Sequence, residues 1–293
     1  MELHQLKSFI TIAEEKNLTR AAERLFTSQP AVSAHIKSLE EELGLSLFDR
    51  TSRGMILTLD GEKMLEKAQH TLNSITEINH LARDLQANPS GTLKVGVILD
   101  ADDIKLELIS ESLYQTHPGI QLEFIHSSSG TISEGLLNGD LDVGFFEGIV
   151  ETPLLTGIKV GKTNLIIIGS PKFQNDFQSS DWKAIEQLPW VFKTPQCSYY
   201  KLMERISKAN DLSLNRRYVI DHEGTCLQFA RNGSALSVVN ANVVEKELAQ
   251  GSLIAWKGFH EALDIHLLCT SKRSQERTIT AFFQTTKTIL NLD

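Results

Sequence analysis

The stretch "LTRAAERLFTSQPAVSAHIKSLEEELG", residues 18–44, holds two apolar-periodic segments separated by Phe26-Thr27-Ser28. Thr19 is placed to cap the first segment, which runs to about Leu25 and buries Ala22 and Leu25. The small pair Ala21-Ala22 lets another helix approach closely. Ser28 caps the second segment, and Pro30 falls in its first turn, where the missing N–H costs little. Val32, Ile36, Leu39 and Leu43 form an inner stripe, while Pro30, Ala34 and Lys37 point the opposite way with Ser33 on the flank. Upstream, Leu3, Leu6, Phe9, Ile10 and Ala13 mark one face of a further amphipathic helix. Downstream, "GLSLFDRTSRGMILTLDG" (44–61) places apolar residues on both sides of Thr51-Ser52-Arg53-Gly54, the pattern of a short β-hairpin carrying Arg50 and Arg53. The outward face at the start of the second segment is small, polar or basic, which suits a DNA major groove. A small helical core with solvated charges has the same patterning, so periodicity alone leaves both readings open.

Charge does not separate them. The 293-residue chain has a formal net charge of −8, and residues 1–90 hold 10 Lys and Arg against 13 Asp and Glu. Phosphate affinity depends on where charges stand. Lys16, Arg20, Arg24, Lys37, Arg50 and Arg53 surround the opening stretch, whereas Glu40, Glu41 and Glu42 gather at its far end. The first residues lack the basic-then-apolar pattern of a signal peptide. No apolar run reaches the roughly 18 to 20 residues that span a bilayer. Cys197, Cys226 and Cys269 are too scattered for a disulfide framework or a zinc site. The expectation is a cytoplasmic protein with reduced thiols.

The residues themselves go further. In order, Ala21-Ala22, Ser28-Gln29-Pro30-Ala31-Val32-Ser33, Leu39-Glu40 and Leu47-Phe48-Asp49-Arg50 closely resemble the winged helix-turn-helix of LysR-type transcriptional regulators. The resemblance implies that Gln29, Pro30 and Ser33 on the recognition helix and Arg53 in the wing contact DNA. Gln29 would serve as a base-edge or phosphate donor, Ser33 as a hydrogen-bond donor and Arg53 as a minor-groove or backbone cation. Ser28, Lys37 and Arg50 complete the candidate set. The position after Ser33, often basic in this family, is Ala34 here, and Lys37 is the residue placed to supply that charge. His35 lies nearer the buried side and is read as packing.

Asp60 to Leu85 contains no proline. Leu65, Ala68, Leu72 and Ile75 follow a heptad a/d pattern, continued at Ile78, Leu81, Ala82 and Leu85 after a stutter. This stripe packs either on its own domain or on a second copy. The resemblance implies dimerisation through a linker helix, and commonly a homotetramer.

Beyond Gly91, strand-like segments ("TLKVGVIL", "IQLEFIH", "LDVGFF", "NLIIIGS", "PWVFK", "RYVID", "ALSVV", "LDIHLLCTSK") alternate with helical ones, which argues for a parallel sheet in an α/β fold with two lobes and a cleft. "LLNGDLDVGFF" resembles the effector domain of the same family, whose fold is like that of periplasmic binding proteins. The expected organisation is therefore α/β with an N-terminal winged helix-turn-helix at 1–59, a linker helix at 60–90 and an effector-binding domain at 91–293. Lobe I takes about 91–160 and 268–293, and lobe II about 161–267. The resemblance implies candidate ligand residues at Leu99, Asp100 and Ala101 after the first strand, Ser127, Ser128 and Ser129 after the second, and Thr194, Cys197, Ser198 and Cys226 in the second lobe. Asp100, Asp102 and Glu147 near the presumed mouth would repel an anion, so the sign of the effector's charge stays open.

Cys197 begins a helix, where the dipole would favour a thiolate. Its position resembles that of the reactive cysteine in the family's peroxide-sensing branch, but residue 206, where a resolving cysteine would stand, is Ile. Cys226 is the other candidate partner, and Cys269 reads as core. The chain shows no nucleophile elbow, phosphate-binding glycine loop or metal-ligand cluster, and His117, His222, His260 and His266 read as isolated residues. The expected function is a sequence-specific DNA-binding regulator controlled by a small molecule, not an enzyme, with double-stranded DNA, a second copy and RNA polymerase as partners and no cofactor. The alternatives are a thiol redox sensor using Cys197 and a solute-binding module that does not bind DNA.

Overall fold

A computed structural model describes the backbone of residues 1–51, 54–84, 89–98 and 104–292; the side chains of Arg50, Thr76, Glu77 and residues 79–84 are also outside what it describes. The chain divides into two units, residues 1–85 and 86–293.

In the first unit, α1 (Leu3–Glu15), α2 (Leu18–Arg24) and α3 (Gln29–Leu43) are followed by the hairpin β1 (Phe48–Thr51) and β2 (Gly54–Leu57) and by the 26-residue α4 (Leu59–Asp84). The inner stripe of α3 is as expected, with Val32, Ile36 and Leu39 buried and Leu43 partly so. In α1 the buried line is Leu6, Phe9 and Ile12, with Ile10 and Ala13 at its margin and Leu3 exposed. Ser28 caps α3, accepting the Ala31 N–H at 3.3 Å. The cap of α2 is Asn17 rather than Thr19: the Asn17 Oδ1 accepts from the Thr19 and Arg20 amides at 2.9 and 3.1 Å. Starting the helix two residues earlier lets it bury both Ala21 and Ala22. The hairpin pairs antiparallel from Phe48↔Leu57 to Thr51↔Gly54. Gly54, at φ +115°, lies so close to the end of α1 that a Cβ would stand 2.3 Å from the Lys16 carbonyl oxygen. That carbonyl also accepts the Met55 N–H at 3.0 Å, which ties the wing to α1.

Leu65, Ala68 and Leu72 on α4 pack against this same core, so the first half of the heptad stripe is used within its own unit. Ile78, further along, is 65% exposed. Leu81, Ala82 and Leu85 lie outside the described side chains.

The second unit contains β3 (Gly91–Val97), α5 (Leu106–Thr116), β4 (Ile120–His126), α6 (Ser129–Asn138), β5 (Val143–Glu147), β6 (Leu155–Gly169), β7 (Trp190–Phe192), α7 (Ser198–Ala209), β8 (Arg216–Val219), α8 (Glu223–Arg231), β9 (Ser237–Asn240), α9 (Glu245–Gln250), β10 (Ile254–Ala255), β11 (Glu261–Thr270) and α10 (Arg277–Leu290). The sheet order is β10-β6-β11-β5-β3-β4 with β9 also paired to β6, and β7 pairs with β8 separately. The expected parallel sheet is corrected to a mixed one. β3 is parallel to β4 and β5, but β11 is antiparallel to both β5 and β6.

The reason lies in β6 and β11, two long strands that run through two hydrophobic cores. The first core holds Val95, Ile109, Phe145, Val160, Ile265 and Phe282; the second holds Leu165, Ile167, Trp190, Phe192, Trp256 and Leu263. Membership thus switches between Val160 and Leu165 on β6 and between Leu263 and Ile265 on β11. No helix among the described residues is long and apolar enough to cross a membrane.

Candidate functional site

Two regions stand out, one in each unit. On α3 the first turn is turned away from the core: Ser28, Gln29 and Pro30 are exposed, as are Ala34 and Lys37, while Ser33 is half-buried on the flank. Lys37 Nζ stands 3.6 Å from Glu41 on the same exposed face. Arg50 lies on β1 with its side chain outside the described set, and Arg53 lies outside it altogether. His35 packs as expected, with its Nδ1 2.8 Å from Ser8 Oγ and its ring edge-on to His4 at 4.5 Å. Burial and the neighbouring His4 push its pKa down. The acids at the far end of α3 are partly structural. Glu40 Oε1 accepts the Leu47 and Phe48 amides at 2.7 and 3.3 Å and so fixes the entry to the wing.

In the second unit a cavity of about 490 Å³ opens between the two cores. α6, α7 and α8 all begin at it. Ser127, Ser128 and Ser129 line it from the β4–α6 turn, and Thr194, Cys197 and Ser198 from the β7–α7 turn. Leu99, Asp100 and Ala101 lie outside the described residues, as does Asp102. Cys226 does not line it: this residue is fully buried, its thiol donating to the Ile220 carbonyl at 3.4 Å beneath α8. The chain closes the floor with hydrogen bonds between the lobes. Ser198 Oγ–H donates to the Glu147 carbonyl at 2.6 Å, and its oxygen stands 2.9 Å from Ser129 Oγ, which accepts the Glu147 N–H at 3.0 Å. Gly130 N–H donates to the Gln196 carbonyl at 2.9 Å.

Several lining residues escaped the sequence reading. Lys193 is buried and bonds Glu223 Oε2 at 2.8 Å and the Asp221 carbonyl at 2.9 Å. Burial works against its charge, but the Glu223 carboxylate outweighs it and holds the Lys193 pKa above its ordinary value. His222, expected to be isolated, lines the cavity and caps α8 by accepting the Thr225 N–H. Glu147 is buried in the wall rather than standing at the mouth. The available signal was position alone: Asp221-His222-Glu223 joins a strand to a helix, where α/β ligand sites form. The expected thiolate at Cys197 is overturned. It does stand at the start of α7, but desolvation exceeds the pull of the Tyr199 amide and of Lys193 and pushes the thiol up to about 11.

Comparison with known proteins agrees with this layout. Residues 3–62 match the family model for the bacterial regulatory helix-turn-helix protein, lysR family, and residues 86–290 match the LysR substrate binding domain. The chain is 28% identical over 256 residues to the HTH-type transcriptional regulator CzcR of Bacillus subtilis, covering 86% of this chain and 85% of that protein. Its fold is similar to that of full-length CbnR solved in complex with its target DNA, at a TM-score of 0.60 and 21% identity, over 98% of this chain and 99% of that one. It is similar also to the full-length Vibrio cholerae virulence activator AphB, at a TM-score of 0.60 and 17% identity, with 98% of each chain covered. With a helix-turn-helix whose outward face is unused by its own core, and a two-lobed unit enclosing a ligand-sized cavity, the chain belongs to the LysR family of DNA-binding transcriptional regulators.

Proposed function

We propose that residues 1–59 place α3 in the major groove of a partly palindromic site, that residues 60–90 pair two copies, and that residues 91–293 bind a small effector in the inter-lobe cavity. The observation that carries this reading is the first turn of α3: Ser28, Gln29 and Pro30 are presented outward by a helix whose opposite face is locked into the core. Gln29 and Ser33 read base edges, Ser28 and Lys37 approach phosphates, Pro30 fits against the groove wall, and Arg50 and Arg53 carry the wing's charge to the backbone or minor groove. Self-association is supported by the exposed Ile78 on α4 and by the edge strand β4 with α5, where Phe124, Ile125, Leu108 and Tyr114 are exposed. Unpaired apolar edges of this kind need a cover, and a second copy supplies one. On this reading the protein acts in the cytoplasm as a homodimer or homotetramer, influences RNA polymerase and catalyses no reaction.

The test is selection from random-sequence DNA with the full-length chain at fixed salt, followed by affinity measurement on the enriched site. Gln29→Ala is expected to lose about 1–3 kcal/mol, roughly 5- to 150-fold, with relaxed preference at one position. Arg53→Ala is expected to weaken binding across sequences and to reduce the salt slope by about 1. No enriched site, or variants indistinguishable from wild type, refutes the assignment.

A further inference from the structure

We infer that the ligand of the inter-lobe cavity is a small organic cation, one that carries a protonated amine or amidine; this rests on reading the cavity as the effector site. The charged side chains that line it among the described residues are three carboxylates, Glu147, Asp221 and Glu223, against one cation, Lys193. Lys193 is already committed to Glu223 Oε2 and to the Asp221 carbonyl, so it offers an incoming anion little. One Asp221 oxygen accepts the Thr194 N–H at 2.9 Å. The second oxygen of Glu223, Oε1, is buried and has no hydrogen-bond partner. A buried carboxylate oxygen left unpaired is costly, and a ligand N–H that meets it on rotation of the Glu223 side chain removes that cost.

Three helix N-termini at the cavity pull the other way, since such ends favour anions. At two of them, α6 and α8, the chain has answered the free amides itself. Ser128 Oγ takes the Thr131 N–H at the start of α6, the Gln196 carbonyl takes that of Gly130, and His222 takes that of Thr225 at the start of α8. Glu223 itself occupies the first turn of α8. That leaves the start of α7, headed by Cys197 with no side-chain cap, against three carboxylates, and the excess of carboxylates decides the sign. A metal ion fits less well, because among the described residues no three His, Cys, Asp or Glu converge to hold one. An organic cation uses the rest of the wall as well: Ile98 and Tyr199 flank an apolar stem, and Ser127 and Thr131 take polar substituents.

The test uses the full-length protein near neutral pH and constant ionic strength, titrated calorimetrically with n-butylammonium, 1,4-diaminobutane, n-butyrate, n-butanol and zinc chloride. The ammonium probes are expected to bind with millimolar affinity or better, and butyrate and butanol not to bind. Glu223→Gln is expected to weaken the ammonium probes by about tenfold or more, the loss of one charged hydrogen bond. Butyrate or zinc binding in place of the ammonium probes overturns the charge assignment and leaves the cavity as a ligand site. Absence of binding by every probe overturns both. Should Glu223→Gln fail to fold, the wild-type ranking of ammonium over carboxylate still decides. The DNA selection described above is independent of all these outcomes.

Discussion

Asp142, the second acid of "GDLD", is a demanding place to test the physical account of the C-terminal unit. Its carboxylate is buried just ahead of β5, where Oδ2 accepts the Lys94 N–H of β3 at 2.7 Å and Oδ1 accepts from Arg273 Nη2 at 2.7 Å. Arg273, 131 residues away in sequence, is also held by Glu276 at 2.6 and 2.7 Å. One side chain thus joins β3, the start of β5 and the turn that leads into α10. Asp142→Ala strands the Lys94 amide, at about 1–3 kcal/mol, and removes one charged hydrogen bond, worth about 1.5–3 kcal/mol. Breaking a buried ion pair from one side usually costs about 3–5 kcal/mol, but Arg273 keeps Glu276, which places the expected loss near the lower end, about 3 kcal/mol. Asp142→Asn retains an acceptor for Lys94 and should lose about half as much.

The readout is built into the sequence. All three tryptophans, Trp182, Trp190 and Trp256, fall in the C-terminal unit, so intrinsic fluorescence follows that unit alone. They sit in or against the second core, whereas Asp142 borders the first. The shift is transmitted because β6 and β11 belong to both cores. In urea, with a slope of roughly 2–3 kcal/mol per molar, Asp142→Ala should lower the midpoint by about 1–1.5 M. A midpoint within about 0.3 M of wild type refutes the energetic argument. An Asn variant no better than Ala refutes the role given to the Lys94 amide.

Two further outcomes follow from local chemistry. Ser28→Ala should destabilise the N-terminal unit by about 1 kcal/mol through loss of the α3 cap, whereas Ser28→Asp keeps the cap but sets a negative charge against phosphate. Equal DNA affinity for Ser28→Asp and wild type would remove Ser28 from the interface. For Cys197, a thiol pushed up to about 11 is protonated at neutral pH. Alkylation at this residue, followed by peptide mass spectrometry, should therefore rise about tenfold per pH unit from 8 to 10. A plateau below pH 9 would restore the thiolate and with it the redox reading.

What the sequence disclosed was whatever is settled within a few residues. Ser28 and Pro30 announce a helix start by themselves, and the stripe of Val32, Ile36 and Leu39 needs only a helical period. The cap of α2 was harder, because Asn17 and Thr19 are both capping residues and burial of Ala21 with Ala22 chooses between them. β6 showed only its apolar end, "NLIIIGS". Its first half, "LTGIKVGKT", mixes glycine and lysine and carries no clear alternation. Nor does a strand's own pattern name its neighbours, which is why the helix–strand rhythm suggested a parallel sheet when β11 runs antiparallel to β5 and β6. Lys193, Asp221 and Glu223 were invisible for the same reason, since only the packing of two lobes brings them to one cavity with Glu147, which the sequence had placed at its mouth. At Cys197 the local signal, a helix start, was real, and the non-local one, burial, outweighed it.

The inter-lobe seam shows how a ligand in this cavity gains leverage over the rest of the unit. The cores on either side are large and apolar, and besides β6 and β11 the floor joins them through Ser129, Ser198, Glu147, Gly130 and Gln196. Each net hydrogen bond contributes only about 0.5–1.5 kcal/mol, so these seam contacts are weak beside either core. Of the residues that form the seam, Ser129, Glu147, Gln196 and Ser198 also line the cavity. A ligand that engages Glu147 or the Ser128–Ser129 turn therefore acts on the groups that hold the lobes together. On the proposed function, a ligand whose affinities for two lobe angles differ by a few kcal/mol shifts the population between them.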